Sequence, residues 1–492
     1  MCTSARSDVL RRAACALALV LGGCAAGPDF VRPAAPATTQ YVPGTPPAET
    51  AAGDGARQRF SAETALTAEW WTRFGSAPLD ATVAEALAGN RTLASARATL
   101  EQSEDALRAG YGLYMPHVGV DLAASRQRAS PLRFGQSGPA SIFNLFTLSG
   151  TVGYVVDLFG GARREVESLR ASADVERNTL RAAYLALTAN VVETSIARAG
   201  YQAEIAATRT SIGAAAERLK LAQTQYQAGT TAYASVMSLK SELASLEATL
   251  PPLQLRADQA GHLLAVLVGK VPADWQPPEL ALSELTLPEE LPLSLPSSLV
   301  RQRPDILIAE ARLHVASAEV GIATANLLPT LTLSGSLGRD AAVWSDLRNS
   351  NGRIWSGGAD LSVPVFEGGQ AWYGRKAAVD AYRAARADYQ QVVLTAFEQV
   401  ADTLRALEHD AELVRDNGEA RAAARDALAL TDANYRAGIA DYLALMTATQ
   451  AAQGAEVAYL GAIAQRLQDT VALYVALGGG WWNADPAAQA AR

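Results

Sequence analysis

Apolar side chains recur with a helical period through one long stretch in the second half of the chain. They occupy every seventh position, with one interruption at Arg421, in the series Val393, Val400, Leu407, Val414, Leu428 and Tyr435. No proline occurs between Pro364 and Pro486, so the pattern predicts one continuous helix over residues 370–435, packed against other helices as in a coiled coil. At 1.5 Å per residue such a helix is about 100 Å long.

The same pattern occurs in the first half of the chain. A proline-free stretch begins at Gly160-Gly161 and ends in Tyr226-Gln227-Ala228-Gly229, which matches Tyr435-Arg436-Ala437-Gly438 at the end of the second stretch. The two turns lie 209 residues apart, counted from Gly229 to Gly438, and further matching pairs keep a similar offset. This indicates an internal duplication with a repeat unit of about two hundred residues.

Two short runs after Pro116 alternate between apolar and polar positions. Val118, Val120 and Leu122 belong to the first run, and the second covers residues 146–158. A period of two over about ten residues predicts strands with one apolar and one polar face. Residues 125–138, which include Arg126, Arg128 and Arg133, read as the polar loop between them.

The second half repeats this hairpin over residues 331–337 and 355–365. Aromatic side chains stand near the strand ends, as in the interfacial belt of membrane proteins: Trp344, Trp355, Trp372 and Tyr373. Alternation alone is equally consistent with a soluble sheet that covers a layer of helices.

Four strands in two hairpins leave open edges, and open edges cannot exist in lipid, so a membrane sheet of this kind must close into a barrel. Two copies would give eight strands and a packed interior, whereas three give twelve strands and room for a passage. If the strands cross a membrane, the sequence therefore predicts a homotrimer.

The N-terminus carries an export signal. Arg6, Arg11 and Arg12 precede a short apolar run, and Leu21-Gly22-Gly23-Cys24 resembles the lipobox of bacterial lipoproteins. Residues 1–23 would then be removed and Cys24 acylated, with an ordinary secretory signal as the alternative. The proline- and alanine-rich segment that follows predicts an extended tether, up to the apolar anchor at Trp70-Trp71.

The domain organisation follows from the repeat. The proline-rich joint between the halves reads as irregular and lying on the surface. The predicted divisions are a signal peptide (1–23), a lipidated tether (24–75), the first repeat (76–270), the joint (271–300), the second repeat (301–480) and a tail (481–492).

Composition and motifs argue against catalysis. All three cysteines lie within the first 24 residues, which excludes a disulfide framework, a thiolate zinc site and a cysteine nucleophile in the rest of the chain. The four histidines are scattered without metal-ligand spacing, and no nucleophile elbow or phosphate loop occurs. With a net charge of −8, a nucleic-acid partner is disfavoured. We therefore expect no enzyme activity, no metal and no cofactor.

The residues after the joint carry a specific resemblance. Arg303-Pro304-Asp305-Ile306, followed by Ala309-Glu310, resembles the signature of the outer membrane factor family, the TolC-like exit ducts of efflux pumps. The segment from Cys24 to Phe30 resembles the start of its lipidated, NodT-type subgroup. Four further segments match the family pattern in order: Trp70–Phe74 and residues 361–369, 435–438 and 476–481.

The resemblance implies a fold and a function. Family members are homotrimers in which a twelve-stranded transmembrane β-barrel continues into a long α-helical tunnel through the periplasm. Long helices over 163–226 and 370–435 would line the tunnel, with shorter ones over 233–269 and 442–478 beside them. The implied function is a passive duct for small molecules in the Gram-negative outer membrane, working with a periplasmic adaptor and an inner-membrane RND pump. A duct for type I protein secretion and a structural coiled-coil lipoprotein are the alternatives.

The resemblance also implies where a gate would lie. The turns at Gly229 and Gly438 would form the periplasmic tip that meets the adaptor, and Tyr435 matches a gate tyrosine. Family members commonly carry an aspartate about nine residues beyond the second turn, where this chain has Thr447, with Gln450 close by. Asp441 is the nearest acid, but its place at a helix start favours an N-cap.

Overall fold

A computed structural model of the chain describes residues 25–43, 49–52, 56–61, 64, 66–135, 137–348 and 350–483. Cys24 and the signal peptide lie outside the described residues, as does the tail beyond residue 483, so these predictions stay predictions. The chain forms two compact units. One falls within residues 1–33, 100–176 and 309–389, and the other within 34–99, 177–308 and 390–492.

Helices make up most of the described chain, and the second half repeats the order of the first. In chain order they are α1 (Ala77–Gly89), α2 (Arg91–Gly110), α3 (Gly161–Gln227), α4 (Tyr233–Leu267), α5 (Pro296–Gln302), α6 (Pro304–Ala325), α7 (Gln370–Arg436) and α8 (Tyr442–Ala476). The long helices α3 and α7 each have 67 residues, and α4 and α8 each have 35. The predicted long helices are confirmed, with bounds within two residues of those expected.

The helical region after Trp70 is divided into three segments. A short 3-10 segment, Trp70–Phe74, comes first, and α1 and α2 are then separated at Asn90. The Asn90 side chain accepts a hydrogen bond from the backbone N–H of Leu93 at 2.9 Å, which caps the first turn of α2. Asparagine is a favoured residue at helix N-caps, so residues close together in the sequence explain the break between α1 and α2.

The first unit contains a four-stranded antiparallel sheet in the order β2-β3-β5-β6. Its strands are β2 (His117–Ala129), β3 (Ser141–Val156), β5 (Thr330–Ala341) and β6 (Arg353–Ser362). The pairing is continuous along all three ladders, so side chains alternate between the two faces without a bulge.

The predicted loop over 125–138 was wrong at its start, because β2 runs on through Arg126 and Arg128 to Ala129. The two arginines lie on the same face of the strand as Val118, Val120 and Leu122, where the alternating pattern would have apolar residues. Hydropathy alone therefore ended the strand too early.

The second unit is built around a helical core. Trp70, Phe74 and Tyr474 are all almost fully buried there, and the rings of Trp70 and Tyr474 stack at 5.4 Å. The prediction that Trp70-Trp71 forms an apolar anchor is confirmed.

The N-terminal segment has little regular structure, but the expectation of an unpacked tether was wrong. Within the first unit, the N–H of Ala26 donates to the carbonyl of Phe159 at 2.7 Å, and Arg164 binds the Asp29 carboxylate at 2.6 Å. Within the second unit, Gln58 is fully buried. Because long-range partners satisfy its polar groups, the segment packs without forming helices or long strands.

The proline-rich joint is also more buried than expected. Its residues Glu290–Pro292 form strand β4, which pairs in parallel with β1 (Arg59–Ser61). Leu282, Leu291 and Leu299 of this region lie in the core of the second unit, so a wholly surface position was wrong. Leucine side chains fix the joint where proline prevents regular structure.

The interruption of the apolar series at Arg421 has a structural cause. The guanidinium lies 4.4 Å from the ring centre of Tyr459 and binds Glu456 at 2.7 Å. Arg425 binds the same carboxylate, and Gly418 leaves room for the Tyr459 ring. A polar cluster therefore replaces the apolar contact between α7 and α8 at this level.

Candidate functional site

One face of the four-stranded sheet is apolar across all strands, because the register aligns their apolar positions. The pairing places one residue from each of β2, β3, β5 and β6 side by side in a row across this face. Three such rows are Val118-Val152-Gly335-Gly357, Val120-Gly150-Leu337-Trp355 and Leu122-Leu148-Arg339-Arg353. Val118, Leu337 and Trp355 are 78 %, 69 % and 80 % exposed. An apolar surface of this extent marks a site of interaction with lipid or protein.

The opposite face of the sheet is polar. The Thr151 hydroxyl donates to Asp121 at 3.2 Å, and the Thr147 hydroxyl donates to Asp340 at 2.6 Å. Short polar side chains occupy many other positions of this face, among them Ser149, Ser334, Ser336 and Ser356. The sheet thus separates an apolar side from one suited to water.

Both edges of the sheet are open within the chain. β2 and β6 are the outer strands of the order, and among the described residues neither has a partner on its second side. They are 13 and 10 residues long, and a row of unpaired N–H and C=O groups of this length pairs readily with another strand.

The two turns predicted at the periplasmic tip have the same local structure. Gly229 and Gly438 both have positive φ, 72° and 74°. After α3, the N–H of Thr230 donates to Gln225 at 2.9 Å, and after α7 the N–H of Ile439 donates to Asn434 at 2.8 Å. These bonds define Schellman caps, for which glycine is required at the left-handed position.

The side chains around the second turn are arranged as follows. Tyr435 is half-buried, with its ring 6.5 Å from that of Tyr442. The Tyr442 hydroxyl donates to Glu242 of α4 at 2.7 Å, and burial together with this carboxylate raises the pKa of Tyr442. Asp441 accepts from the N–H of Ala444 at 2.8 Å, so its predicted role as an N-cap is confirmed.

Thr447 and Gln450 are both exposed, and together with Leu443 they follow one face of α8 at helical spacing. This face carries no charge between Leu443 and Gln450. The structure thus brings Tyr435 beside the start of α8 and puts Thr447 and Gln450 on its exposed face, while Asp441 is held in the helix cap.

The signature residues Arg303, Pro304 and Asp305 lie at the start of α6. Arg303 is buried, donates to the carbonyl of Ala476 at 2.9 Å and binds Asp305 with two nitrogen atoms. Another of its hydrogen bonds reaches Gln399 of α7 at 2.6 Å. Arg303 thus connects the start of α6 to α7 and to the end of α8, which is a structural role.

The second unit also contains a pair of neighbouring carboxyl groups, of which Asp410 is buried, that the sequence interpretation missed. Asp410 of α7 faces Asp469 of α8, and burial, followed by the hydrogen bond to Asp469, raises the pKa of Asp410 to about 8. Glu193 of α3 lies near the pair, and burial raises its pKa as well. Arg466 is also buried and donates to Gln58 at 3.2 Å.

A signal for this pair existed in the sequence. Asp410 lies one helical turn beyond Leu407 and one before Val414, inside the apolar stripe of α7. A carboxylate on the apolar face of a helix requires a partner or a proton. Its partner is 59 positions away, so the pairing itself needed the tertiary structure.

Within the described ranges, no group of three or more ligand-type side chains could hold a metal ion. Among the same residues, no helix has the length and apolar character needed to cross a membrane.

Comparisons with known proteins agree with this geometry. The profile of the outer membrane efflux protein family matches residues 82–270 and 295–479. Nodulation protein T of Rhizobium leguminosarum bv. viciae is 28 % identical over 484 residues, covering 96 % of this chain and 94 % of that protein. The pyoverdine export outer membrane protein OpmQ of Pseudomonas aeruginosa is 32 % identical, covering 84 % and 87 %.

A solved structure has the same fold. The outer-membrane channel OprN is 28 % identical, covers 93 % of this chain and 100 % of its own, and superposes with a TM-score of 0.85. The fold is therefore that of a TolC-like outer-membrane channel, mostly helical with a sheet.

The chain belongs to the outer membrane efflux protein family. It is an efflux channel of the outer membrane, and since the family consists of passive channels, it is not an enzyme. The candidate functional surfaces are thus the two faces of the sheet and the turns at Gly229 and Gly438.

Proposed function

We propose that three copies of the chain close into one twelve-stranded barrel, with the apolar face toward lipid and the polar face around a water-filled passage. The observation that carries this proposal is the four-stranded sheet with two open edges and one continuous apolar face. Open edges cannot persist in lipid, and twelve strands leave room for a lumen.

The strand lengths support a membrane position. A tilted transmembrane strand needs about 9–11 residues, and the shortest strand of the sheet, β6, has 10. The edge strands β2 and β6 run antiparallel to each other, as do all neighbouring strands of the sheet. Strand β6 of one copy can therefore form an antiparallel pair with β2 of the next copy.

Reconstitution tests this proposal. The full chain, purified in detergent, should have three times the monomer mass by native mass spectrometry and should form conducting pores in planar lipid bilayers. A monomer that inserts no pores would contradict the proposal.

We also propose that Cys24 is acylated and anchors the protein in the membrane. The described chain begins at residue 25, and the next residue, Ala26, is bonded to Phe159, just beyond the end of β3. Ala25 lies against Gly160, where a Cβ would come within 3.1 Å of its Cα. Acyl chains on the preceding residue would then enter the membrane at the helix-side rim of the sheet.

Cys24→Ser tests the anchor. Intact mass spectrometry of the wild type should show the added mass of the acyl chains and the loss of residues 1–23, and the variant should lack the acyl mass. An unmodified cysteine in protein isolated from outer membranes would rule the anchor out.

The tips of the helical hairpins are proposed as the contact for a periplasmic adaptor, which would connect the channel to an inner-membrane RND pump. Near the turns, Ile439 and Leu443 are 77 % and 62 % exposed, and Tyr226 and Tyr233 are about half exposed. Exposed apolar side chains next to rigid, glycine-capped turns are suited to a protein partner.

Ile439→Asp should abolish co-purification of the adaptor and make the cells susceptible to drugs. Leu132→Asp, at an equally exposed leucine in the loop between β2 and β3, is the matched control and should change neither. Full adaptor binding by Ile439→Asp would place the contact elsewhere.

The gate proposed near the second turn is uncharged, with Tyr435, Thr447 and Gln450 as its candidates. Thr447→Asp should add three carboxylates per trimer and shift the reversal potential in a salt gradient toward cation selectivity. Tyr435→Ala should widen the constriction and raise the single-channel conductance. If both variants conduct like the wild type, the constriction lies at another level.

A further inference from the structure

The charged residues of the sheet are divided between its two faces by sign. β2, β3, β5 and β6 contain four arginines and three aspartates. The continuous register puts every arginine on the apolar face: Arg126, Arg128, Arg339 and Arg353. It puts every aspartate on the polar face: Asp121, Asp340 and Asp360. A face that is otherwise apolar thus carries only positive charge.

All four arginines lie at the same rim of the sheet. Arg126 and Arg128 are within three residues of the end of β2, Arg339 is two residues from the end of β5, and Arg353 is the first residue of β6. These strand ends all join the loops between strands and lie opposite the ends that lead into helices. At 3.3 Å per residue, Arg126 and Arg128 lie about 13 and 20 Å beyond the row that Leu122 shares with Arg339 and Arg353.

Three of the four guanidinium groups are available. Arg126, Arg128 and Arg353 are exposed, and among the described residues no carboxylate pairs with them. Arg339 is partly used, because its Nη1 donates to the carbonyls of Leu347 and Arg348 at 3.3 and 2.9 Å. Arginine on a lipid-facing surface is tolerated near the interface and costly at the bilayer centre, which fits a position at the rim.

We propose that these arginines bind the phosphate groups of phosphorylated lipids in the external leaflet of the outer membrane. The inference rests on the proposed barrel, whose helix-side rim faces the periplasm, so that the loop rim lies at the external headgroups. Guanidinium groups bind phosphate with two parallel charge-assisted hydrogen bonds. The acyl chains of the same lipid would lie on the apolar rows below.

The proposed phosphate site would take its arginines from two neighbouring copies of the chain. β2 and β6 are opposite edges of one sheet, so within one chain Arg353 is separated from Arg126 by the full width of the sheet. When β6 of one copy pairs with β2 of the next, the loop ends of both strands meet. Each junction would then bring Arg353 of one copy to the same rim as Arg126 and Arg128 of its neighbour, which gives three sites per trimer.

Lipid titration tests the proposal. The full-length trimer in neutral detergent is titrated with diphosphoryl lipid A or with phosphatidylcholine, and bound lipid is counted by native mass spectrometry. The triple variant Arg126→Gln, Arg128→Gln, Arg353→Gln should bind lipid A about 100-fold more weakly, at about fivefold per arginine. Its weak binding of phosphatidylcholine should not change. Replacement of the same three residues by lysine should restore most of the affinity.

The matched control changes three exposed arginines outside the sheet. Arg108, Arg383 and Arg436 have side chains that are 70–73 % exposed, and their change to glutamine should leave lipid A affinity unchanged. Wild-type affinity in the sheet variant, or an equal loss in the control, would overturn the inference. So would equal binding of the deacylated, phosphorylated disaccharide, since the occupant would then not be a lipid.

Conductance in phosphatidylcholine bilayers separates this inference from the channel itself. Wild type and sheet variant should both conduct there, because this lipid lacks the proposed ligand. If both conduct but bind lipid A equally well, the lipid site is wrong and the channel stands. If the wild type does not conduct, the proposed barrel is wrong.

Discussion

Asn90 and Arg303 occupy the same place in the two halves of the chain and perform the same task with different chemistry. Asn90 precedes α2 and donates to the carbonyl of Leu267, the last residue of α4, at 2.8 Å. Arg303 precedes α6 and donates to the carbonyl of Ala476, the last residue of α8, at 2.9 Å. In each half, one side chain ties the end of the helical hairpin to the start of a helix that leads to the sheet.

The difference lies in charge. Asn90 is a neutral side chain that also caps α2, whereas Arg303 is a buried cation that needs Asp305 and Gln399 as partners. A buried charge contributes rigidity only while all its partners are present, so its loss is more harmful than that of a neutral amide. At this position the second half of the chain is thus the more polar of two similar structures, and Arg303 should show the larger mutational effect.

The largest effect is expected at this pair. Arg303→Ala should destabilise the protein by about 3 kcal/mol, because it removes the donor to Ala476 and leaves Asp305 without its cation. Arg303→Lys should restore little of this, since lysine lacks the planar fork. The readout is the midpoint of thermal unfolding by circular dichroism.

Asn90→Ala is the matched variant in the first half and should cost about 1–2 kcal/mol. Equal losses of stability in Arg303→Ala and Asn90→Ala would mean that the charge of Arg303 does not make its loss more harmful.

The next effect concerns the carboxyl pair, which has no counterpart in the first half. Asp469 and Arg466 of α8 correspond to Ala260 and Ala257 of α4 at the repeat offset. Because the pKa of Asp410 is raised to about 8 in the folded protein, folding is favoured while this carboxyl is protonated. This stabilisation should be lost as the pH rises from about 4 to about 8, since the unfolded chain releases the proton first.

Asp410→Asn removes this dependence and should raise the unfolding temperature by several degrees at pH 9, with a smaller effect at pH 5. The groups that face the pair are Glu193, Asp469 and Arg466, and all are retained in the variant. Asp380→Asn, at an exposed position of α7, is the control and should give the same shift at both pH values. A pH-independent effect of Asp410→Asn would mean that the pair does not share a proton.

A smaller effect is expected at the starts of α4 and α8. Asp441 caps α8, whereas Ala232 at the equivalent position of α4 forms no side-chain cap. Asp441→Ala should cost about 1 kcal/mol in thermal unfolding, and Ala232→Asp should gain a similar amount. If Ala232→Asp has no effect, the first turn does not have the geometry needed for a cap.

The smallest effect is expected at Arg421. Its equivalent in α3 is Ile212, and Arg421→Ile would restore the apolar series. Glu456 keeps Arg425 as a partner, so the unfolding temperature should change by only a few degrees in either direction. A large loss would show that the contact between Arg421 and the Tyr459 ring holds α7 against α8.

The long helices and the strands could be predicted because their patterns are local. The seven-residue spacing and the proline-free stretches predicted the bounds of α3 and α7 to within two residues, and the duplicated turns indicated the repeat. The predicted strand β2 ended before Arg126. A charged residue on an apolar face can be assigned to a strand only when the position of that face in a membrane is known. The packed tether was missed for a related reason. Gln58 contacts Thr470 and Arg466 about four hundred residues away, and no local pattern reports such a contact.

The sequence by itself determined the helical periods, the glycine-capped turns and the alternation of the strands, since each depends on residues within a few positions of one another. It also determined the two-fold repeat, because matching segments can be recognised at any distance along the chain. Tertiary structure alone decided which distant groups meet: Arg303 with the end of α8, Asp410 with Asp469, and four arginines with one rim of the sheet. The physical reason is that burial and pairing set the energy of a charged or polar side chain, and both depend on neighbours brought in by the fold.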